Sequence, residues 1–266
     1  MSSLEAPSGF TQNGIPYNRF GDGSNTILIF QGLAYENKPM SGMDARFALG
    51  MYSFLAAEYT GYVVSRRKGL PKGYTFKDMS DDYAELIEGE FDLPVDILGT
   101  STGGSISLQV AADHPGLVRR LVVHSSAYKL GPRGKDAQLR VRYLAQEGKW
   151  RQVGIIMLEM VIRPSRYSKA LAWLGSPLMA LDSPDDPSDF LVTIDAEDKF
   201  DCSRRLPEIY APTLVIAGAQ DQFYSMQLFQ ETAAGLPNGK LILYPEMGHP
   251  ARGEKFESDV LDFLRG

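Results

Sequence analysis

The stretch that decides the fold is Val95-Asp96-Ile97-Leu98-Gly99-Thr100-Ser101-Thr102-Gly103-Gly104, continued by Ile106, Leu108, Val110 and Ala111. Val95–Leu98 is short and apolar enough to be a buried strand. The positions from Ile106 to Ala111 read as the apolar side of a helix. Between them Gly99, Ser101 and Gly103 form the pattern G-x-S-x-G. A strand that turns this abruptly into a helix strains its central residue and projects that side chain outward. Side chains at the two flanking positions would clash, hence glycine. The helix beginning there aims its positive end at any anion forming near the hydroxyl. In a chain of this composition the bare pattern arises by chance about 0.2 times, so its weight comes from the strand before it and the helix after it.

Working outward, five more segments share the strand signature: Thr26–Phe30, Gly61–Ser65, Leu121–His124, Thr213–Ala217 and Lys240–Tyr244. They are β-branched or aromatic and apolar at nearly every position, as parallel strands buried on both faces are. Helical patterns near 43–59, 77–90, 103–114, 222–235 and 253–264 alternate with them. Phe10–Phe20 predicts an antiparallel hairpin at one edge. The expected architecture is a doubly wound α/β fold: a mostly parallel eight-stranded sheet with helices on both faces. One stretch breaks the rhythm. From about Lys129 to Arg205 there is no buried strand, only amphipathic helices punctuated by Arg163-Pro164, Ser176-Pro177, Ser183-Pro184 and Asp186-Pro187. That is too long for a connector. The expected division is a core of 1–128 and 206–266, with 129–205 as a helical cap insert.

Ile29-Phe30-Gln31-Gly32-Leu33, Gly99–Gly104, Leu214–Asp221 and Met247-Gly248-His249 together make the chain resemble the α/β-hydrolase superfamily over nearly its whole length. The resemblance implies a serine hydrolase with Ser101 as nucleophile. A serine hydroxyl needs a base, and histidine titrates near neutrality. His114 reads as a surface residue and His124 as a hydrogen-bonded core residue. His249 follows a strand, at the sheet edge where ligands bind in open α/β folds. Asp221 follows Thr213–Ala217 and reads either as the acid that orients His249 or as a helix N-cap. Ser101, Asp221, His249 is the family's chain order; Asp195, Asp198 and Asp201 fall in the insert. The family's oxyanion donors correspond to the backbone N–H groups of Leu33 and Thr102. Two departures stand out. Gln31 replaces the common histidine of that loop, and Ser65-Arg66-Arg67-Lys68 replaces a small-residue loop. The basic triplet reads as a solvated loop, or as a contact to an anionic substrate group. Tyr35, Glu36 and Met40 belong to the oxyanion loop and read as loop packing or pocket wall.

Composition narrows the partners. The chain has 266 residues, 44% hydrophobic content and a formal net charge of −6. An acidic protein is poorly matched to nucleic acid or anionic membranes. No apolar run is long enough to span a bilayer, and Met1–Phe10 does not read as a secretory leader. Cys202 is the sole cysteine, so no internal disulfide forms and a cytoplasmic location is expected. Metal-ligand clusters, phosphate loops and dinucleotide fingerprints are absent from the sequence pattern, so no cofactor or metal is implied. The insert carries Ile155, Ile156, Met157, Leu158, Met160, Val161, Leu171, Trp173, Leu178 and Met179. Some of these should line the crevice, which suits a small-molecule substrate with an apolar part. Three readings stay open: an ester, thioester or lactone hydrolase; other chemistry on the same three residues (C–C bond hydrolase, perhydrolase, acyltransferase); and a low-turnover small-molecule receptor. Oligomeric state is not legible.

Overall fold

A computed structural model of the chain describes residues 7–181 and 183–266. The reading of Met1–Phe10 therefore lies largely outside the described residues. Eight strands form one sheet in the order β1-β2-β4-β3-β5-β6-β7-β8. They are β1 (Ser8–Phe10), β2 (Pro16–Phe20), β3 (Asn25–Phe30), β4 (Tyr59–Val64), β5 (Val95–Thr100), β6 (Val118–His124), β7 (Thr213–Gly218) and β8 (Gly239–Tyr244). β1, β2 and β4 pair antiparallel, and every other pair is parallel. The expected eight-stranded doubly wound sheet is present, including the edge hairpin. β5 and β7 are buried at all six positions, which explains their unbroken apolar pattern.

Helices cover both faces. α2 (Phe76–Glu90), α3 (Thr102–Asp113) and α8 (Met226–Gly235) pack on one side, with Ile87, Val110 and Phe229 in its core. α1 (Gly42–Met51) and α9 (Glu254–Arg265) lie on the other. α9 buries Phe256, Val260 and Leu264, four residues apart, and leaves the rest of its surface wet. α2 starts one residue earlier than its periodicity suggests, because Thr75 and Asp78 close a capping box. Four helices lie between β6 and β7: α4 (Pro132–Gln146), α5 (Trp150–Val161), α6 (Ser168–Leu181) and α7 (Ser188–Lys199). Their apolar stripe is split. Ile156 and Met160 are buried, whereas Leu171, Trp173 and Leu178 on α6 are exposed. Arg151 stacks over the Trp173 ring at 5.0 Å. Among the described residues no helix is long and apolar enough to cross a membrane.

The chain runs from β3 out to β4 and returns to β5 on the other side of β3. That reversal opens a crevice at the carboxyl ends of β3 and β5. Register sets what meets there: Phe30 lies opposite Gly99, and Thr100 opposite His124.

His124 is fully buried at the end of β6. Its Nε2 donates to Ala251 O at 2.7 Å, and its Nδ1 accepts from Thr100 Oγ1 at 3.0 Å, which in turn accepts from Tyr52 OH. Both ring nitrogens are thus used by the neutral form. Burial lowers its pKa to about 4. The unfolded chain binds a proton here between about pH 4 and 6.5 that the folded chain does not. Stability is therefore full above pH 6.5 and declines toward pH 4, by on the order of 3 kcal/mol from this group. Urea unfolding across that window should show a steeper loss in wild type than in His124→Gln; equal slopes would remove His124 as the cause.

Candidate active site

The turn from β5 into α3 places Ser101 at φ 54°, ψ −125°. A non-glycine residue rarely adopts this conformation, and here tight packing on both sides imposes it. A Cβ on Gly99 would lie 2.5 Å from Gly103 O and from Ser107 Oγ. A Cβ on Gly103 would lie 2.1 Å from Phe30 O, at the end of β3. Both glycines are therefore space requirements of the turn, as the sequence pattern implies.

Ser101, Asp221 and His249 come together across the carboxyl edge of the sheet, although they lie on the loops of three strands. His249 Nε2 is 3.0 Å from Ser101 Oγ, and His249 Nδ1 is 2.7 Å from Asp221 Oδ2. With Nδ1–H donating to the carboxylate, Nε2 presents its lone pair to the serine proton. Of the two readings of Asp221, the helix N-cap does not form: Ser225 caps α8, and the Asp221 carboxylate faces His249 and heads a turn of its own. Its second oxygen, Oδ1, accepts from the N–H groups of Phe223 and Tyr224 at 2.8 and 3.0 Å. Because that turn absorbs residues 222–225, α8 begins at Met226, with Ser225 as its own cap. The loop that carries His249 is pinned from beneath at the end of β6: Ala251 N donates to Ser125 Oγ at 3.0 Å while Ala251 O accepts from His124.

Leu33 lies in the loop that follows β3, and Thr102 is the first residue of α3. A Cβ on Gly32 would lie 3.5 Å from Ser101 Cβ, so the β3 loop touches the turn. Among the described residues neither the Leu33 nor the Thr102 N–H donates to a protein acceptor. Gln31 is engaged with Met40 Sδ at 3.5 Å. Tyr35 packs edge-on to Phe190 and tilts against Trp150, and Glu36 pairs with Lys38. A cleft of about 450 Å³ flanks the site, lined by Val161, Ile162, Met247 and His249 with Arg163 and Arg252 at its rim.

Other candidates fall elsewhere. Asp195, Asp198 and Asp201 pair with Arg142, Lys135 and Lys129. Cys202 is buried, and burial pushes its thiol up to about 12. Asp81, Asp113 and His114 bring ligand atoms within 4.8 Å of one another, but Lys77 and Arg205 already pair with the two carboxylates.

Two residues were not legible as parts of this site. Arg66 is not in solvent, contrary to the reading of its basic triplet; only 1% of it is exposed. Its Nη1 donates to Gln31 O and Gly32 O, both at 2.9 Å. Of its neighbours, Arg67 does stay half-exposed, paired with Asp82. Glu197, on α7, is also fully buried. It accepts from Thr102 Oγ1 at 2.8 Å, Gln138 Nε2 at 2.7 Å and Tyr224 OH at 3.0 Å. Burial raises its pKa, and those three donors with the charge of Arg66 oppose the rise.

This geometry can be set beside known proteins. The model of the family described as serine aminopeptidase, S33, matches residues 24–255. The chain belongs to this family of α/β hydrolases. The hydrolase is 23% identical to a 2-hydroxy-6-oxononadienedioate/2-hydroxy-6-oxononatrienedioate hydrolase of Pseudomonas sp., over 98% of this chain and 95% of that one. It is 27% identical to a protein of Yersinia enterocolitica named as a candidate carbamate hydrolase, RutD, over 82% and 80% of the two chains. Its fold matches that of MGS-M2, an α/β hydrolase from a Medee basin deep-sea metagenome library, with a TM-score of 0.76 at 21% identity and 95% coverage of each chain.

The turn's packing is testable without any substrate. Gly103→Ala should lower stability by about 2 kcal/mol or more, through a backbone clash that cannot relax. Gly50→Ala, an exposed helical site with nothing within 4 Å, should be neutral or stabilising by up to about 1 kcal/mol. Denaturant midpoints that move equally for the two variants would contradict the packing account.

Proposed function

We propose that this hydrolase cleaves a small-to-medium carboxylic ester, thioester or lactone through an acyl-enzyme. The observation that carries the proposal is the unbroken relay from Ser101 Oγ through His249 to Asp221, with spacings of 3.0 and 2.7 Å. Ser101 Oγ attacks the carbonyl carbon as His249 Nε2 takes its proton. Asp221 holds the imidazole tautomer and stabilises its cation. The carbonyl oxygen becomes an oxyanion, which in this reading accepts from the N–H groups of Leu33 and Thr102. His249 returns the proton to the leaving alcohol or thiol. Water then repeats the sequence on the acyl-enzyme and frees the acid.

Residues 129–205 act in this scheme as a cap on a core of 1–128 and 206–266. Two contacts support that division. Glu197 of α7 reaches Thr102, and Gln222, next to Asp221, donates to the carbonyls of Glu159 and Met160 on α5 and of Ile162 just after it. The cleft beside His249 has Val161, Ile162 and Met247 as its apolar wall, which suits a substrate with an apolar part. The lone, unreactive Cys202 favours a cytoplasmic setting.

A second reading is hydrolysis of a C–C bond next to a carbonyl on the same residues. It is favoured by the relative from Pseudomonas, which spans nearly the whole chain and is named as an oxo-dienedioate hydrolase. Product analysis separates the two. The purified protein should turn over short p-nitrophenyl esters faster than a vinylogous 1,5-diketone acid. Asp221→Asn should lower kcat on the ester by about 10⁴-fold with KM little changed. Faster cleavage of the diketone would make the second reading the right one, and full ester turnover by Ser101→Ala would exclude both.

A further inference from the structure

We propose that Arg66 is a positioning residue that sets and polarises the oxyanion-hole peptide between Gly32 and Leu33. The proposal rests on the reading of Leu33 N–H as an oxyanion donor. In a trans peptide the carbonyl and the N–H point in opposite directions, and Gly32–Leu33 is trans. Gly32 O accepts from Arg66 Nη1 at 2.9 Å. The group that holds this carbonyl therefore fixes where the Leu33 N–H points, on the far side of the same plane. The second proton of Nη1 goes to the preceding carbonyl, Gln31 O, also at 2.9 Å, so two successive peptides of one loop are tied to one nitrogen. A cation on the oxygen also draws electron density from the amide and makes its N–H a stronger donor.

Stability does not account for this residue. Arg66 is buried with Nε and Nη2 lacking any hydrogen-bond partner among the described residues. Burying such a cation is unfavourable, and swapping a buried charge for an apolar side chain is often neutral or stabilising. What offsets its charge also lies near the site. The α7 carboxylates Glu197 and Asp189 act on it electrostatically. Glu197 grips Thr102, the other proposed donor residue, and Asp189 accepts from the N–H groups of Gly69 and Leu70 at 3.0 and 2.7 Å, beyond β4. The two halves of the hole are thus held by opposite buried charges, Arg66 on the carbonyls of the β3 loop and Glu197 on the side chain of Thr102 at the start of α3.

The test uses an aryl ester and its thiono analogue, whose sulfur accepts hydrogen bonds weakly. Each kcat/KM is divided by the uncatalysed hydroxide rate of the same compound. Wild type should prefer the oxo ester by about 100-fold or more, the scale of one oxyanion donor. Arg66→Met should shrink that preference about 10-fold, mainly in kcat, while KM for the oxo ester stays within about 3-fold. Arg66→Lys should restore much of it. Arg66→Gln, which keeps an amide donor with shorter reach, gives the same reading in smaller measure if Arg66→Met does not fold. A purely structural Arg66 would slow both esters alike and leave the preference intact, which overturns the inference alone. A wild type without any oxo preference overturns the oxyanion reading of Leu33 and Arg66 with it.

Discussion

The backbone at Ser101 cannot relax, and the rest of the site is arranged around that constraint. The positive φ is imposed by β5 on one side and by Gly103 pressed against Phe30 O on the other. The same contact fixes how closely the β3 loop approaches the serine. The parallel register of β3, β5 and β6 then leaves one direction for the hydroxyl, toward the crevice. Everything beyond is reach: Asp221 and His249 must cross from β7 and β8. His124 and Ser125 shorten that crossing by anchoring Ala251 above the end of β6.

Polarity beneath the site follows a consistent pattern. His124 stays neutral because it is fully buried, and both ring nitrogens find partners in that form. Glu197 is a carboxylate with three donors, and Arg66 a guanidinium with two acceptors. A buried polar group without a partner is costly, so each of these side chains constrains the loop it touches.

The parallel strands were legible because both of their faces are buried, so almost every position is apolar. The grouping of Ser101, Asp221 and His249 was legible because each lies on the loop that follows a strand at one sheet edge, in a fixed order that survives in one dimension. Helix ends were less so. The pattern at 222–235 begins four residues before α8, because Asp221 takes the Phe223 and Tyr224 donors for a turn of its own. Arg66 was illegible for a deeper reason. Three consecutive basic residues look solvated, and only the β3 loop, 34 residues away in sequence, draws one of them inward. Glu197 hides in the same way, because an acidic residue on an amphipathic helix is ordinarily exposed. The exposed apolar face of α6 is the converse case, where periodicity overstated burial.

On the proposed function, His249 and Asp221 make Ser101 nucleophilic. A fluorophosphonate reacts irreversibly with such a serine, and the mass of the intact protein followed by peptide mapping reads where it lands. One adduct per chain is expected, on the peptide containing Ser101. An unlabelled protein, or an adduct on any other residue, would contradict it.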